Sequence, residues 1–475
     1  MAWRIVIAGG GFGGLYAARE LEKMLPPQAA HITLVNDVNF MLYTPLLPGA
    51  AAGTLEPRHV VVPLRQELHR TDLRLGKVTS ADPQQKCLDI DTIEGHEERL
   101  DYDHLIVALG SISRTLPVPG LAEHAIGFKT LAEAIALRNH VLRTLEMAES
   151  VDDPREREKF LTYVFVGGGY AGVEGLAELQ DFAADVIDLY PRCRVQGMRW
   201  MLVEASDRIM REIPASLAEF TMRELQGRGI EFRLDTTVEE ITAESVRLST
   251  GEVLPTRTLV WTAGVKPHPA VAQLGLPLEG GRIKVDANLK VPGADGVWAV
   301  GDAAAVPDPA QKRKGPTPPT AQHALRQGKR AAQNVAASIG KGQVRPFTYK
   351  TLGVFVDLGR FQAVASTLGI RWRGFPAWFL ARTYHLMAMP GFRRQLRLVT
   401  DWTVDLLFPR DASELAQLGH PPTLEGGEFE AQSAGGTSGD APSSEPELPA
   451  ALRLSAEDQG APSGDGSPRD DATEE

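Results

Sequence analysis

Cysteine is nearly absent from this chain of 475 residues: there are two, Cys87 and Cys193. They stand far apart, without C-x-x-C or C-x4-C spacing, which excludes a redox disulfide motif and a zinc site. Both are expected to be inert small residues, and no metal is expected anywhere. Long apolar runs are missing too, none approaching the roughly 18 residues of a transmembrane helix. No signal peptide precedes the apolar stretch Trp3–Ala8, so a cytoplasmic location is expected. Excess positive charge is also lacking. The formal net charge is −11, but Leu424 to Glu475 alone holds 13 acidic and 2 basic residues, which leaves 48 of each sign elsewhere. The acidity therefore belongs to the tail and says nothing about a substrate, and no nucleic-acid partner is expected. Gly, Ser, Pro, Ala and Glu dominate beyond about Thr423, which is too little apolar surface to offset ordering, so disorder is expected there.

Glycine is plentiful, and its placement is informative. IVIAGGGFGG carries Gly9, Gly11 and Gly14; YVFVGGGYAGVE carries Gly167, Gly169 and Gly172. One G-x-G-x-x-G is weak evidence. Two of them, each following an apolar strand and opening an amphipathic helix, argue for two dinucleotides in one molecule. The patterning reads as a strand at 3–8, a helix at 15–25 and a strand at 31–35. DHLIVALGS is then a buried strand that stops at Gly110. From Thr162 the pattern restarts, with RWMLVEAS and TLVWTAG (ending at Gly264) in the equivalent places. VWAVGD, ending at Gly301 and Asp302, reads as a return to the first domain. The fold class is α/β with two Rossmann-like domains. A discontinuous FAD-binding domain is expected at 1–126 and 281–368, an inserted NADH-binding domain at 127–280, a C-terminal membrane-association segment at 369–412 and a tail at 413–475.

Each glycine has a physical task. In the first turn Gly9 permits the bend, Gly11 leaves room for a pyrophosphate, and Gly14 lets the helix pack on the strand. The helix N-terminus supplies free N–H groups and partial positive charge. Asn36 ends the second strand, where a ribose partner is expected. Glu204 is its counterpart in the second unit; a carboxylate there accepts two ribose hydroxyls and repels a 2′-phosphate, so NADH is favoured over NADPH. Asp302, at a strand end, can accept a hydrogen bond from the ribityl chain of a flavin. Glu174, just past Gly172, reads as a carboxylate steadied by the helix dipole, or simply as a helix-N-terminal acid. Gln322 and Gln327, on the helix that follows GPTPPT, offer neutral amides to an oxygen-bearing acceptor, or are merely exposed residues.

Taken together, the chain resembles the type II NADH:quinone oxidoreductases, the non-pumping NADH dehydrogenases of respiratory chains, over about residues 3–412. The resemblance rests on NFMLYTPLLPGAAAG, GGGYAGVE, PPTAQHALRQG and FPAWFLARTYHL…GFRRQLRLVTDWTVDLLF. It implies FAD at Gly9, Gly11, Gly14 and Asp302, and NADH at Gly167, Gly169, Gly172 and Glu204; Asn36, Gly110, Gly301 and Gly264 are further cofactor-binding candidates. It also implies that Glu174 serves the quinone half-reaction and its protons, and that Gln322 stands at the quinone pocket. Three positions depart from the family pattern: Arg326 occupies the second glutamine position, Tyr170-Ala171 replaces Pro-Thr, and Asn36 replaces an acid.

After Pro390-Gly391 a helix is expected to about Phe408. Phe392, Leu396, Val399 and Leu406 form one stripe, and Arg394, Arg397, Asp401 and Asp405 another. Before the break, Phe375, Trp378, Phe379 and Tyr384 mingle with Arg371, Arg373 and Arg382, a mixture suited to the lipid headgroup region. A helix pair covering the core, or a homodimer contact, is the alternative. The expected activity is oxidation of NADH by bound FAD with reduction of a membrane quinone and no pumping, on the cytoplasmic face. A soluble NADH:acceptor reductase of ferredoxin type and an NADH-responsive redox sensor are the rival readings.

Overall fold

The computed structural model describes residues 2–307, 315–351, 353–367 and 369–415. All but the first few residues of the acidic tail, and with them the expectation of disorder, lie outside the described residues.

Two mainly parallel sheets carry the molecule. Strand β1 (Trp3–Ala8) ends in four buried residues, Ile5 to Ala8, as a strand covered on both faces must. Helix α1 (Phe12–Met24) turns Leu15, Ala18 and Leu21 into the same core. β2 (Ala30–Asn36) completes the unit, and the short helix α2 (Leu47–Ala51) follows. Then come β3 (Asp72–Asp82), β4 (Cys87–Thr92), β5 (Glu97–Asp101), β6 (His104–Val107) and β7 (Ser111–Ser113).

The second unit starts with β8 (Ala125–Gly127) and α3 (Leu131–Ser150). A reciprocal cap fixes the start of α3: Thr130 accepts from the Glu133 N–H, and the Glu133 carboxylate accepts from the Thr130 N–H. β9 (Thr162–Val166), α4 (Tyr170–Val186), β10 (Arg199–Val203), β11 (Ile230–Arg233) and β12 (Thr258–Trp261) follow, and β13 (Val265–Pro267) pairs back onto β7. The chain then rejoins the first sheet through β14 (Val297–Ala299). Helix α5 (Ala321–Ser338) packs on α1 through small residues: a Cβ on Gly328 would lie 2.1 Å from the Gly13 carbonyl oxygen.

The first sheet has the order β14-β6-β1-β2-β3-β4-β5, and the second β8-β12-β9-β10-β11. Strand order reverses beside β1 in the first and beside β9 in the second, so a crevice opens at the carboxyl ends of the strands next to each glycine turn. The antiparallel sheet β15 (Gly353–Asp357), β16 (Ala363–Thr367) and β17 (Ile370–Arg373) has no counterpart in the sequence reading. It straddles the division placed after residue 368. Its inner side chains Val356 and Val364 join the core of the second unit, which is a long-range choice that local patterning does not carry.

Helices α6 (Gly374–Ala388) and α7 (Phe392–Leu407) end the described chain, with the expected break at Pro390-Gly391. α7 is inside out for a globular helix. Arg394, Leu398 and Asp405 are its buried residues, while Phe392, Leu396, Val399, Val404, Leu406 and Leu407 face outward. Asp401 accepts a 2.7 Å hydrogen bond from His59, and Arg394 lies 3.6 Å from Glu67. Arg397 departs from the expected charged stripe and is exposed. On α6 the expected headgroup surface is smaller than the sequence suggests. Phe375, Phe379 and Met387 are exposed, but Trp378 is buried and Arg382 turns inward between Trp378 and Trp402. Arg371 and Arg373 are drawn to Ser216 instead. Among the described residues, no helix is long and apolar enough to cross a membrane.

Candidate active site

The two glycine turns share one geometry. Gly9 holds φ +103°, and a Cβ there would sit 2.4 Å from the Ala108 carbonyl oxygen; a Cβ on Gly14 would sit 1.7 Å from that of Gly9. Gly11 faces open space, and it caps α1 with no side-chain hydrogen bond, so the first N–H groups point outward. In the second turn a Cβ on Gly172 would lie 2.0 Å from the Gly167 oxygen, and Gly169 again faces open space at the uncapped start of α4. The outer glycines are fixed by packing, and the middle one leaves the room a pyrophosphate needs. Each turn is also clamped by the end of the next strand. Asn36 Oδ1 accepts from the Gly10 N–H at 2.7 Å, and Glu204 Oε2 accepts from the Gly168 N–H at 2.5 Å. Glu204 Oε1 accepts from the Ser206 N–H at 2.8 Å.

Around the first turn the fold gathers Gly110, at the end of β6, and Gly301 with Asp302, just beyond β14. Ser111 donates to Asp302 at 2.6 Å, and Lys129 donates to Ser111 at 2.9 Å. Burial lowers the Lys129 pKa. This polar row suits a polyol chain, so the donor set fits a flavin's ribityl arm. Gly264, beyond β12, meets the same region through the β7–β13 ribbon, where the Arg114 N–H donates to the Gly264 oxygen and the His268 N–H to the Gly110 oxygen. Both strand-end glycines thus lie where the two units touch. Ser111 and Lys129 carry no sequence signal; only folding aligns them with Asp302.

A chain of rings leads from the first turn to a second feature. Phe12, next to Gly11, contacts Tyr43, and Tyr43 meets His385 with a 3.3 Å Oη–Nδ1 contact. His385 lines a cavity of about 30 Å³ with Pro48, Glu174, Glu178, Asp357 and Arg382. The walls come from the α2 region, α4, β15 and α6. Glu174 differs here from its sequence reading. It is the fifth residue of α4, beyond the first turn, and burial rather than the dipole sets its charge state. Dense surroundings hold its carboxyl well above the usual carboxylate range, although Oε1 accepts from the Asp357 N–H at 3.0 Å. Glu178, one turn on, is 2 % exposed and is pushed up to about 8 by burial. Burial pushes Asp357 up to about 6, and lowers His385 to about 4, so that imidazole is neutral.

Gln322 does not line this cavity. Its Oε1 accepts from the Tyr349 hydroxyl at 2.7 Å and its Nε2 donates to the Gly353 oxygen at 3.1 Å. Strand β15 separates it from Glu174: Gly353 meets the glutamine and Asp357 the glutamate, about 13 Å apart along the strand. Arg326 lies 4.1 Å from the Tyr349 ring centre and donates to the Gln322 carbonyl. Gln327 takes no part in an open site. It is fully buried, accepting from the Gly301 N–H and donating to Thr317, so it positions the turn that carries Asp302.

Residues 3–328 match the pyridine nucleotide-disulphide oxidoreductase family. A Mycobacterium tuberculosis protein named type II NADH:quinone oxidoreductase Ndh is 30% identical over 427 residues, covering 86% of this chain and 89% of that one. The chain belongs to the type II NADH:quinone oxidoreductase family. A Synechocystis protein named demethylphylloquinone reductase NdbB is 32% identical over 411 residues, 84% of this chain and 95% of its own. In fold, the chain is similar to the NDH2 of Plasmodium falciparum solved in complex with NADH, with a TM-score of 0.80 at 19% identity over 87% of this chain and 100% of that one. No cysteine pair serves a disulphide in this type II chain. Cys87 and Cys193 are buried and free, and burial pushes the Cys193 thiol up to about 12.

Proposed function

We propose that this type II enzyme oxidises NADH at Gly167–Gly172 and Glu204, holds FAD at Gly9–Gly14, Gly110, Gly301 and Asp302, and reduces a lipid-soluble quinone beside Glu174. The observation that carries this reading is the cavity at which the α2 region, α4, β15 and α6 meet, two ring contacts from the first glycine turn, Phe12 to Tyr43 and Tyr43 to His385. Bound FAD supplies the two-electron carrier between the substrates. Its domain is assigned to about residues 1–126 and 281–368 and that of NADH to about 127–280, with β8 and the inner side chains of β15 and β16, Val356 and Val364, falling to the NADH side. The two N-termini, α1 and α4, orient the pyrophosphates, and Glu204 receives the adenine ribose. Glu174, whose acid form burial favours, can hold a proton where quinone reduction consumes one. Anaerobic stopped-flow tests the scheme: NADH bleaches the flavin, and a menaquinone or ubiquinone analogue restores its absorbance. Bleaching without recovery returns the enzyme to the class of soluble reductases or sensors.

Glu204→Gln tests the dinucleotide choice. A hydrogen bond to a charged group contributes about 1.5–3 kcal/mol. The variant should therefore lose about tenfold to a hundredfold in kcat/KM with NADH while the NADPH value holds or rises, measured with a soluble acceptor. An unchanged ratio removes Glu204 from the ribose site.

We propose docking on the cytoplasmic face of a membrane; the outward apolar stripe of α7, its neighbours Phe375 and Phe379, and the flanking cations Arg393 and Arg397 support the docking. A homodimer is the other use of this surface. Phe379→Glu with Leu407→Glu removes two side chains, each contributing about 1.5–3 kcal/mol when buried. Partition onto anionic vesicles should fall more than about a hundredfold, with NADH oxidation by ferricyanide unchanged. Intact vesicle binding together with a lost dimer would assign the stripe to self-association.

A further inference from the structure

Quinone reduction draws a proton from water as well as a hydride equivalent: NADH + H⁺ + quinone gives NAD⁺ + quinol. Glu174 is one acid at the cavity, and something must refill it.

The same face of α4 carries a ladder of carboxylates. Glu174, Glu178, Asp181 and Asp185 follow at spacings of four, three and four, so each lies above the last along the helix. The lower members meet one guanidinium, that of Arg410, which lies beyond α7. Its Nη2 is 2.8 Å from Asp181 and 3.9 Å from Glu178, and its Nε is 3.5 Å from Asp185. Glu178 sits between inside and outside. Its side chain is 3% exposed, against 24% for Asp181 and 27% for Asp185. Its Oε2 has no hydrogen-bond partner among the described residues, yet Glu178 shares with Glu174 a cavity with room for about two water molecules. A buried carboxylate serving only as a strut would be expected to complete its hydrogen bonds.

We propose that Glu178 relays protons taken up from water at Asp181 and Asp185 to Glu174, so that quinone reduction is supplied from the aqueous side of α4 and not through the quinone's entrance. Glu178 gives its carboxyl proton to Glu174, directly or across water in the cavity, as Glu174 gives its own to a quinol oxygen. Glu178 is then recharged from the outer aspartates. No electron moves along this path. Fixed cations make it workable: Arg410 and Arg382 stabilise whichever carboxylate is transiently ionised, and Arg228 backs Asp181 at 4.0 Å. The other groups facing Glu178 are Asp357 on β15, His385 on α6 and Asp405 beyond Arg410, the last 3.3 Å from Arg410 Nε. Protonated Glu178 is lost as pH rises through about 8, so the quinone-limited rate falls over that range.

This rests on the quinone-reductase reading, and the test separates the two. FAD-loaded Glu178→Gln is bleached by NADH, then reoxidised by a short-chain quinone analogue in H₂O and D₂O. Bleaching at the wild-type rate is expected, with reoxidation about 10²-fold slower and a larger solvent isotope effect; Glu178→Asp restores part of the rate. Infrared spectra of the oxidised protein give a readout apart from turnover: a protonated-carboxyl C=O band that titrates near pH 8, shifts rapidly in D₂O and is missing in Glu178→Gln. If Glu178→Gln fails to retain its fold, Asp181→Asn with Asp185→Asn must slow reoxidation on its own. Wild-type reoxidation with an unchanged isotope effect in these variants overturns the relay. Failure of quinone to reoxidise the wild type sinks the functional reading instead, and the infrared exchange then decides the relay alone.

Discussion

Replacing Glu174 with glutamine is expected to slow reoxidation of the flavin by quinone about 10²–10⁴-fold, the range of a positioned general acid, while NADH still bleaches the flavin at its usual rate. Glutamine keeps the shape and can still accept from the Asp357 N–H, so the fold is not at issue. What disappears is the acidic proton. The charge state makes this a donor. Burial raises the Glu174 pKa first of all, and the neighbouring Asp357 and Glu178 raise it further. A raised carboxyl keeps its proton to higher pH than an ordinary one and loses it as pH rises, so wild-type reoxidation should decline toward alkaline pH and the glutamine variant should show no such decline. Equal loss in both half-reactions would instead mark a damaged flavin site.

The second large effect separates two glycines of one turn. Gly14→Val should yield colourless or insoluble protein, because even a Cβ would fall 1.7 Å from the Gly9 oxygen and 2.9 Å from its carbonyl carbon. Backbone must move, and with it the crossing of α1 and β1. Gly11→Val meets nothing of the protein within 4 Å of its Cβ, so the flavin-free protein should fold with its melting temperature little changed. FAD retention should nevertheless collapse, because the side chain enters the space reserved for the pyrophosphate. Differential scanning calorimetry of the apo-proteins and flavin fluorescence after gel filtration check both halves. Equal FAD retention in Gly11→Val and the wild type would place the pyrophosphate elsewhere.

The parts of this protein that were legible in its sequence are those governed by local physics. A run such as IVIA followed by G-x-G-x-x-G has few alternatives to a buried strand, a tight turn and a helix start, because only glycine tolerates the Gly9 conformation and the Gly14 contact. The break at Pro390-Gly391 and the helix after it are local in the same sense. The carboxylate ladder was half legible: Glu178 stands one turn past Glu174, but nothing in the spacing says that this face of α4 is covered by β15, α6 and Arg410.

What only the tertiary structure decided is which polar groups share a space. Ser111 and Lys129 reach Asp302 across 191 and 173 positions of sequence through strand order. Gln327 proves to be a buried clamp and Gln322 a partner of Tyr349, although the two look alike on one helix. The aromatic and basic residues around α6 divide between an outward apolar surface and an inward Trp378–Arg382–Trp402 stack. Sequence fixes a residue's chemistry and its helical or strand phase. Burial, and with it the charge state of Glu174 and Glu178, depends on which distant segments arrive to exclude water, and that is a property of the assembled fold.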